Sequence, residues 1–159
     1  MIYEGTNTIQ SLDLLGRKVL GNNGATLKKF GKLVTALVME EGVNEKMAEF
    51  INPLAVLGEQ ITKFTMEIGF KGLQNPDEVG AAAVDYLRVA GHLVFGYFWA
   101  RMAQVALQKI AEGNTDPFYV AKLQTARFYF AKLFPETATL MRTARAGSTV
   151  LMDTDAALA

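Results

Sequence analysis

The sequence predicts an all-α fold, a helical bundle of about five to six helices with long central helices packed at shallow angles, and three observations lead there. No stretch alternates apolar and polar residues for long enough to make a strand. Helix-start signals recur at Asn75-Pro76-Asp77-Glu78 and at Asp116-Pro117, where a capping side chain precedes a proline. Val43, Met47, Phe50, Leu54, Leu57, Ile61, Phe64 and Ile68 repeat at spacings of 4, 3, 4, 3, 4, 3 and 4, a heptad seam.

In order, the helices are expected at about 7–21, 24–41, 44–72, 76–112 and 117–146. The first closes on a turn at Asn22-Asn23-Gly24, with Arg17 and Lys18 meeting the negative dipole end of its last turn. Gly42 is expected to stop the second by taking the left-handed conformation. Lys28, Lys29 and Lys32 share that helix with Glu40 and Glu41 as a solvated face. In the third, the seam keeps register across Pro53, so a kink is expected there and not a break.

The fourth helix is apolar nearly all round, which predicts a buried centre. Val79, Ala83, Tyr86, Ala90, Leu93, Tyr97 and Ala100 form one stripe, while Leu87, Val94, Phe95, Phe98 and Met102 cover much of the rest. Ala81, Ala82, Ala83, Gly91 and Gly96 would let other helices come close. The last long helix should bend at Phe134-Pro135 and end at Gly147. The short tail 148–159, with Asp153 and Asp155, is expected to be loosely held apart from Val150, Leu151 and Met152.

Composition narrows the function classes. The 159 residues include 50% hydrophobic residues, enough for a sizeable core. Sixteen basic residues balance sixteen acidic ones, which argues against a nucleic-acid binder working by phosphate neutralisation. With no cysteine and one histidine, a disulfide scaffold, a zinc finger, a cysteine nucleophile and a His-rich metal site are excluded, and no metal is expected. The most apolar window, 89–100, is too short to span a bilayer, so no transmembrane segment is expected. The lack of cysteine and of a signal peptide makes a cytoplasmic setting the expectation.

Most of the chain offers no chemistry. His92 reads as a hydrogen-bonded core or partly exposed histidine. Phe95, Phe98 and Trp99 read as packing, as do Phe128, Tyr129, Phe130 and Phe134, for which a dimer surface is the alternative reading. The front of the chain differs, because Glu4 precedes a helix start with Gly5 beside it. In one reading Asn7 caps, Gln10 closes a capping box and Glu4 is an exposed acid. In the other, Glu4 is a general base, Gly5 lets a ligand approach the backbone, and the amides of residues 7–10 face a polarised partner. Spacing alone does not choose.

The run 1–20, MIYEGTNTIQSLDLLGRKVL, closely resembles the segment of acyl-CoA dehydrogenases that carries their catalytic glutamate. The YEGT core, the Ile9-Gln10 pair and the Leu-rich GRK helix match in order. Asn7 and the LDLLGRK stretch look most like the longer bacterial members, those of the 3-methylmercaptopropionyl-CoA dehydrogenase type, which carry an additional helical C-terminal domain. The resemblance implies oxidation of an acyl-CoA thioester to the trans-2-enoyl-CoA, with Glu4 removing the α-proton and FAD taking the β-hydrogen as hydride. It sets Gly5 against the substrate and Thr6, Asn7 and Thr8 at positions that touch FAD. Many members have Ser-Glu or Asn-Gly after the threonine, where this sequence has Asn7-Thr8.

On this resemblance, residues 1–21 end the catalytic helical domain and 22–159 form the additional helical bundle. The family's flavin domains lie ahead of its glutamate, so the expectation is a C-terminal piece of a longer enzyme. Alone it would be inactive, lack FAD, expose Glu4 and hold its first helix poorly. The implied partners are the acyl-CoA substrate, an electron-transfer acceptor, the upstream flavin domains and, in a homo-oligomer, further copies. A non-catalytic helical oligomerisation or interaction module is the alternative. A further one is a helical protein that binds an apolar ligand around Tyr97, Phe98 and Trp99.

Overall fold

A computed structural model describes residues 5–153; Glu4 and Asp155 lie outside the described residues. The architecture is an all-α helical bundle, with no strand among the described residues. Its helices are α1 (Gly5–Leu12), α2 (Ala25–Glu41), α3 (Ala48–Gln74), α4 (Asp77–Ala111), α5 (Pro117–Phe128), α6 (Glu136–Ala144) and α7 (Thr149–Met152). π-Helical segments follow α1 (Asp13–Val19) and α5 (Tyr129–Leu133).

Local chemistry sets the boundaries. Asn75 Oδ1 accepts the Asp77 amide at 3.1 Å, and Asp77 and Glu78 occupy the positive first turn of α4. Asp116 caps α5 by accepting the Phe118 amide at 2.9 Å, with Pro117 as first helical residue. Asn23 and Gly24 both take positive φ in the turn before α2, and Gly113 and Gly147 do so beyond α4 and α6. Gly42 does not, contrary to the sequence expectation. It is glycine for space, because a Cβ there would lie 2.7 Å from the Val38 carbonyl oxygen.

α3 runs unbroken through Pro53. Seven of the eight seam residues, from Met47 to Ile68, are at most 4% exposed. Val43 is the correction, exposed by 95% because it lies in the turn ahead of α3. At Pro135 the expected bend is a full interruption: α5 gives way to the π segment, and α6 starts anew at Glu136.

Two compact units divide the chain. One comprises the chain up to Lys29, Ile61–Ala90 and the chain from Thr137 onward. Its core includes Leu15, Val19, Ile61, Phe64, Ile68, Tyr86, Leu140 and Met141. There Phe64 and Tyr86 stack with centroids 5.9 Å apart, and the Tyr86 and Thr65 hydroxyls share a 2.7 Å hydrogen bond. This partner lets a phenol be fully buried; burial also raises the Tyr86 pKa, with the Thr65 bond opposing it. Ser148 ties α7 down, its amide and hydroxyl donating to Glu78 Oε1 at 2.8 and 2.6 Å. Val150, Leu151 and Met152, expected to be the held part of a loose tail, are exposed instead.

The other unit is Phe30–Gln60 with Gly91–Glu136. Phe50, Phe130 and Phe134 form an aromatic core around Leu54 and Leu93, with Phe130 and Phe134 centroids 5.0 Å apart. Glu41, expected on a solvated face, is buried because Asn44 and Gln104 donate to its two oxygens at 2.7 and 2.5 Å. α4 is not buried all round: Phe95 and Phe98 are 59% and 53% exposed. Gly96 is a close-approach position, where a Cβ would sit 2.6 Å from a Phe134 ring carbon. Gly91, expected to act likewise, has open space around it.

Gly96→Ala therefore overpacks the core and should lower stability by about 1–3 kcal/mol in urea unfolding. Gly91→Ala should raise it by up to about 1 kcal/mol, since only the helix preference of alanine operates there.

Candidate functional site

The front of the chain is the segment singled out for chemistry, and its geometry starts with how α1 is held. Ser11, Leu15 and Val19 are buried, and Ser11 Oγ donates to the Thr8 carbonyl at 2.7 Å. A four-residue repeat drifts around an ordinary α-helix; the wider π turn over Asp13–Val19 keeps Leu15 and Val19 on the buried side. The first helix is thus anchored by its second half, contrary to the expectation that it would be poorly held.

The first half points outward. Thr6, Asn7 and Thr8 are exposed, on successive positions of the first turns of α1. Gly5 is the first residue of the helix. Glu4, the expected base, lies outside the described residues. Asn7 is not the cap that its spacing suggested, because α1 already starts at Gly5. The first-turn amides of a helix have no intrahelical acceptor, so this end presents donors beside two hydroxyls and a carboxamide. Such a neutral set suits hydrogen bonding to a polar group and offers no proton transfer near neutrality.

Behind it lies a charge cluster that the sequence reading missed. Arg17 bonds Asp13, and Lys18 Nζ stands 3.2 Å from the other Asp13 oxygen. These two cations hold the Asp13 carboxyl down from 3.8 to about 2, the Arg17 hydrogen bond first, then that of Lys18. The i, i+4 spacing of Asp13 and Arg17 was the available signal.

The remaining candidates are engaged structurally. His92 Nδ1 shares a 2.9 Å hydrogen bond with the Tyr129 hydroxyl, and Nε2 lies 3.4 Å from Glu136 Oε2. Burial pushes the Tyr129 phenol up to about 12, so it stays protonated at neutral pH and is no base. Tyr97 packs edge-on against Phe30, and Trp99 stacks on Tyr129. Phe128 is exposed, unlike its neighbours Tyr129 and Phe130. Among the described residues no group of three or more His, Cys, Asp or Glu could hold a metal ion, and no helix is long and apolar enough to cross a membrane.

Comparison with known proteins gives the site its context. A family model described as acetyl-CoA dehydrogenase C-terminal like matches residues 24–155. The 3-methylmercaptopropionyl-CoA dehydrogenase of Ruegeria pomeroyi is 29% identical over 143 residues, covering 85% of this chain and 23% of its own length. A butyryl-CoA dehydrogenase of Syntrophomonas wolfei is 26% identical over 159 residues, covering 96% and 25%. A broad-specificity linear acyl-CoA dehydrogenase of Mycobacterium tuberculosis is 24% identical over 144 residues, covering 84% and 23%. The chain spans about a quarter of the length of the curated relatives it matches. A match over 96% of the chain leaves too few residues out to omit the whole stretch ahead of Gly24.

The Asp13 cluster yields a pH prediction. Its folded-state pKa is depressed, so the ion pairs stabilise the fold above the unfolded value of 3.8, and that contribution fades as pH falls through about 2. Carboxyl-carbon NMR should find the Asp13 midpoint near 2, and the Arg17→Gln, Lys18→Gln double variant should move it back toward 3.8.

Proposed function

We propose that this chain, which belongs to the acetyl-CoA dehydrogenase C-terminal-like family, works as the C-terminal portion of an FAD-dependent acyl-CoA dehydrogenase with Glu4 as its catalytic base. The observation that carries the reading is the family match over 24–155, joined to relatives that are acyl-CoA dehydrogenases and about four times as long. Residues 1–21 then end the catalytic helical domain, and 22–159 are the additional bundle; the family match starting at Gly24 supports a boundary there.

The residues present fit a flavin cofactor in part. Thr6, Asn7 and Thr8 are exposed and neutral at a helix start, and their two hydroxyls and carboxamide are a set able to bond the polar edge of a flavin dinucleotide. The walls that would enclose that cofactor come from upstream segments in this reading. Bound FAD would supply the acceptor for the hydride that leaves the substrate β-carbon.

This chain's own share of the chemistry is proton abstraction. The Glu4 carboxylate takes the α-proton of the acyl-CoA thioester, and the electron pair of that C–H bond forms the new double bond as the β-hydrogen leaves with its electrons. A carboxylate can serve as base for so weak an acid only in a dry pocket that raises its pKa toward neutrality. Gly5, with no side chain, leaves room for the thioester beside the backbone. The buried Ser11, Leu15 and Val19 hold α1 from behind. Electron transfer then passes to an acceptor protein, and the setting is cytoplasmic.

In the test, the whole polypeptide is purified and acyl-CoA-dependent dye reduction is measured beside the 159-residue chain alone. The whole polypeptide should be yellow and active, and Glu4→Gln should lower kcat by about 10²–10⁴-fold with flavin content unchanged. The 159-residue chain should carry no flavin and give no turnover. Full activity in Glu4→Gln would remove Glu4 from the reaction.

A further inference from the structure

We propose that the groove between the C-terminal half of α4 and the start of α5 binds a free medium-chain aliphatic carboxylate. Its chain would lie on Phe98, Met102, Val105 and Phe118, and its carboxylate on the Lys122 ammonium.

The sequence builds this groove locally. Phe98, Met102 and Val105 stand at i, i+4 and i+7 on α4, one side of the helix. Phe118, Tyr119 and Lys122 belong to the opening turns of α5, and only the short capped turn at 112–116 separates the two helices. The space they line measures about 260 Å³, and Tyr119 carries its one uncharged polar side-chain group. Small-molecule sites typically measure about 300–1,000 Å³, so this one suits a short flexible chain. Phe98, Val105 and Phe118 are 53%, 47% and 55% exposed, so the walls are open to a ligand.

Charge selects the head group. The Lys122 ammonium lies 5.3 Å from the Phe118 ring centre and 6.0 Å from that of Trp99. No ion pair joins it to a carboxylate among the described residues, so its charge meets ring faces and solvent. Arg101, the other cation at the groove, is 3.7 Å from Glu40. The first free amide of α5 is taken by Asp116. One uncompensated ammonium beside an apolar trough complements a single negative charge on an aliphatic body. The site lies within residues 98–122 and stands independently of the proton abstraction assigned to Glu4.

Trp99 is the sole tryptophan, and its ring sits beneath Lys122, so the 159-residue chain carries its own reporter. Decanoate, kept below its micelle concentration, should change Trp99 fluorescence saturably at one equivalent. Lys122→Met should weaken decanoate at least tenfold while leaving decanol binding within twofold. Val105→Asp, a change at a half-exposed position, should weaken both ligands with helicity retained by circular dichroism. The proposal is overturned by an unsaturable response to decanoate, by equal decanoate affinity in wild type and Lys122→Met, or by saturation with an acidic amphipathic peptide and not with decanoate.

Discussion

The heptad seam of α3 is the constraint on which the rest of the structure depends. Phe50, Leu54, Leu57, Ile61, Phe64 and Ile68 are buried on one side of α3, with Met47 buried in the 3-10 turn just before it, and they feed the cores of both compact units. A one-residue slip would turn this stripe by a hundred degrees and expose it. Each fully buried side chain of this kind contributes about 1.5–3 kcal/mol relative to exposure. That total exceeds the roughly 3 kcal/mol typical of an interior proline, which explains why α3 continues through Pro53.

Around this seam the polar groups are occupied with structure. Thr65 satisfies Tyr86, Asn44 and Gln104 satisfy Glu41, Tyr129 meets His92, and Glu78 receives Ser148. No buried side-chain nitrogen or oxygen among the described residues lacks a partner. Such groups hold positions and are poorly placed to move protons through a reaction cycle. The exposed polar start of α1 is different in kind, because Thr6, Asn7 and Thr8 face outward from a helix anchored behind them. A scaffold that fixes α1 by its second half leaves its first turns free to present groups to another surface.

Local physics was legible in the sequence. The caps at Asn75 and Asp116, the turn at Asn23-Gly24 and the seam from Met47 to Ile68 are set by neighbours within a turn or two, and each is found where spacing put it. Errors arose where distant residues decide. Glu41 is hydrogen-bonded by Gln104, which lies 63 positions away, and Phe95 and Phe98 are more than half exposed on a helix that is apolar nearly all round. Gly91 and Gly96 look alike in sequence, yet only Gly96 meets a ring from another part of the chain, that of Phe134 in the turn before α6. At the front, one of the two readings put a cap at Asn7, and the helix begins two residues earlier. The part assigned to Glu4 came from likeness to acyl-CoA dehydrogenases, because a carboxylate before a helix carries no mark of its substrate.

The central claim is that the carboxylate ahead of α1 meets the carbon next to a thioester. A crystal structure of the whole polypeptide with a non-oxidisable acyl-CoA analogue measures this directly. The account predicts a Glu4 carboxylate oxygen on the order of 3–3.5 Å from the analogue's α-carbon, in a pocket closed to water. A different carboxylate at that carbon, with Glu4 turned to solvent, would contradict it.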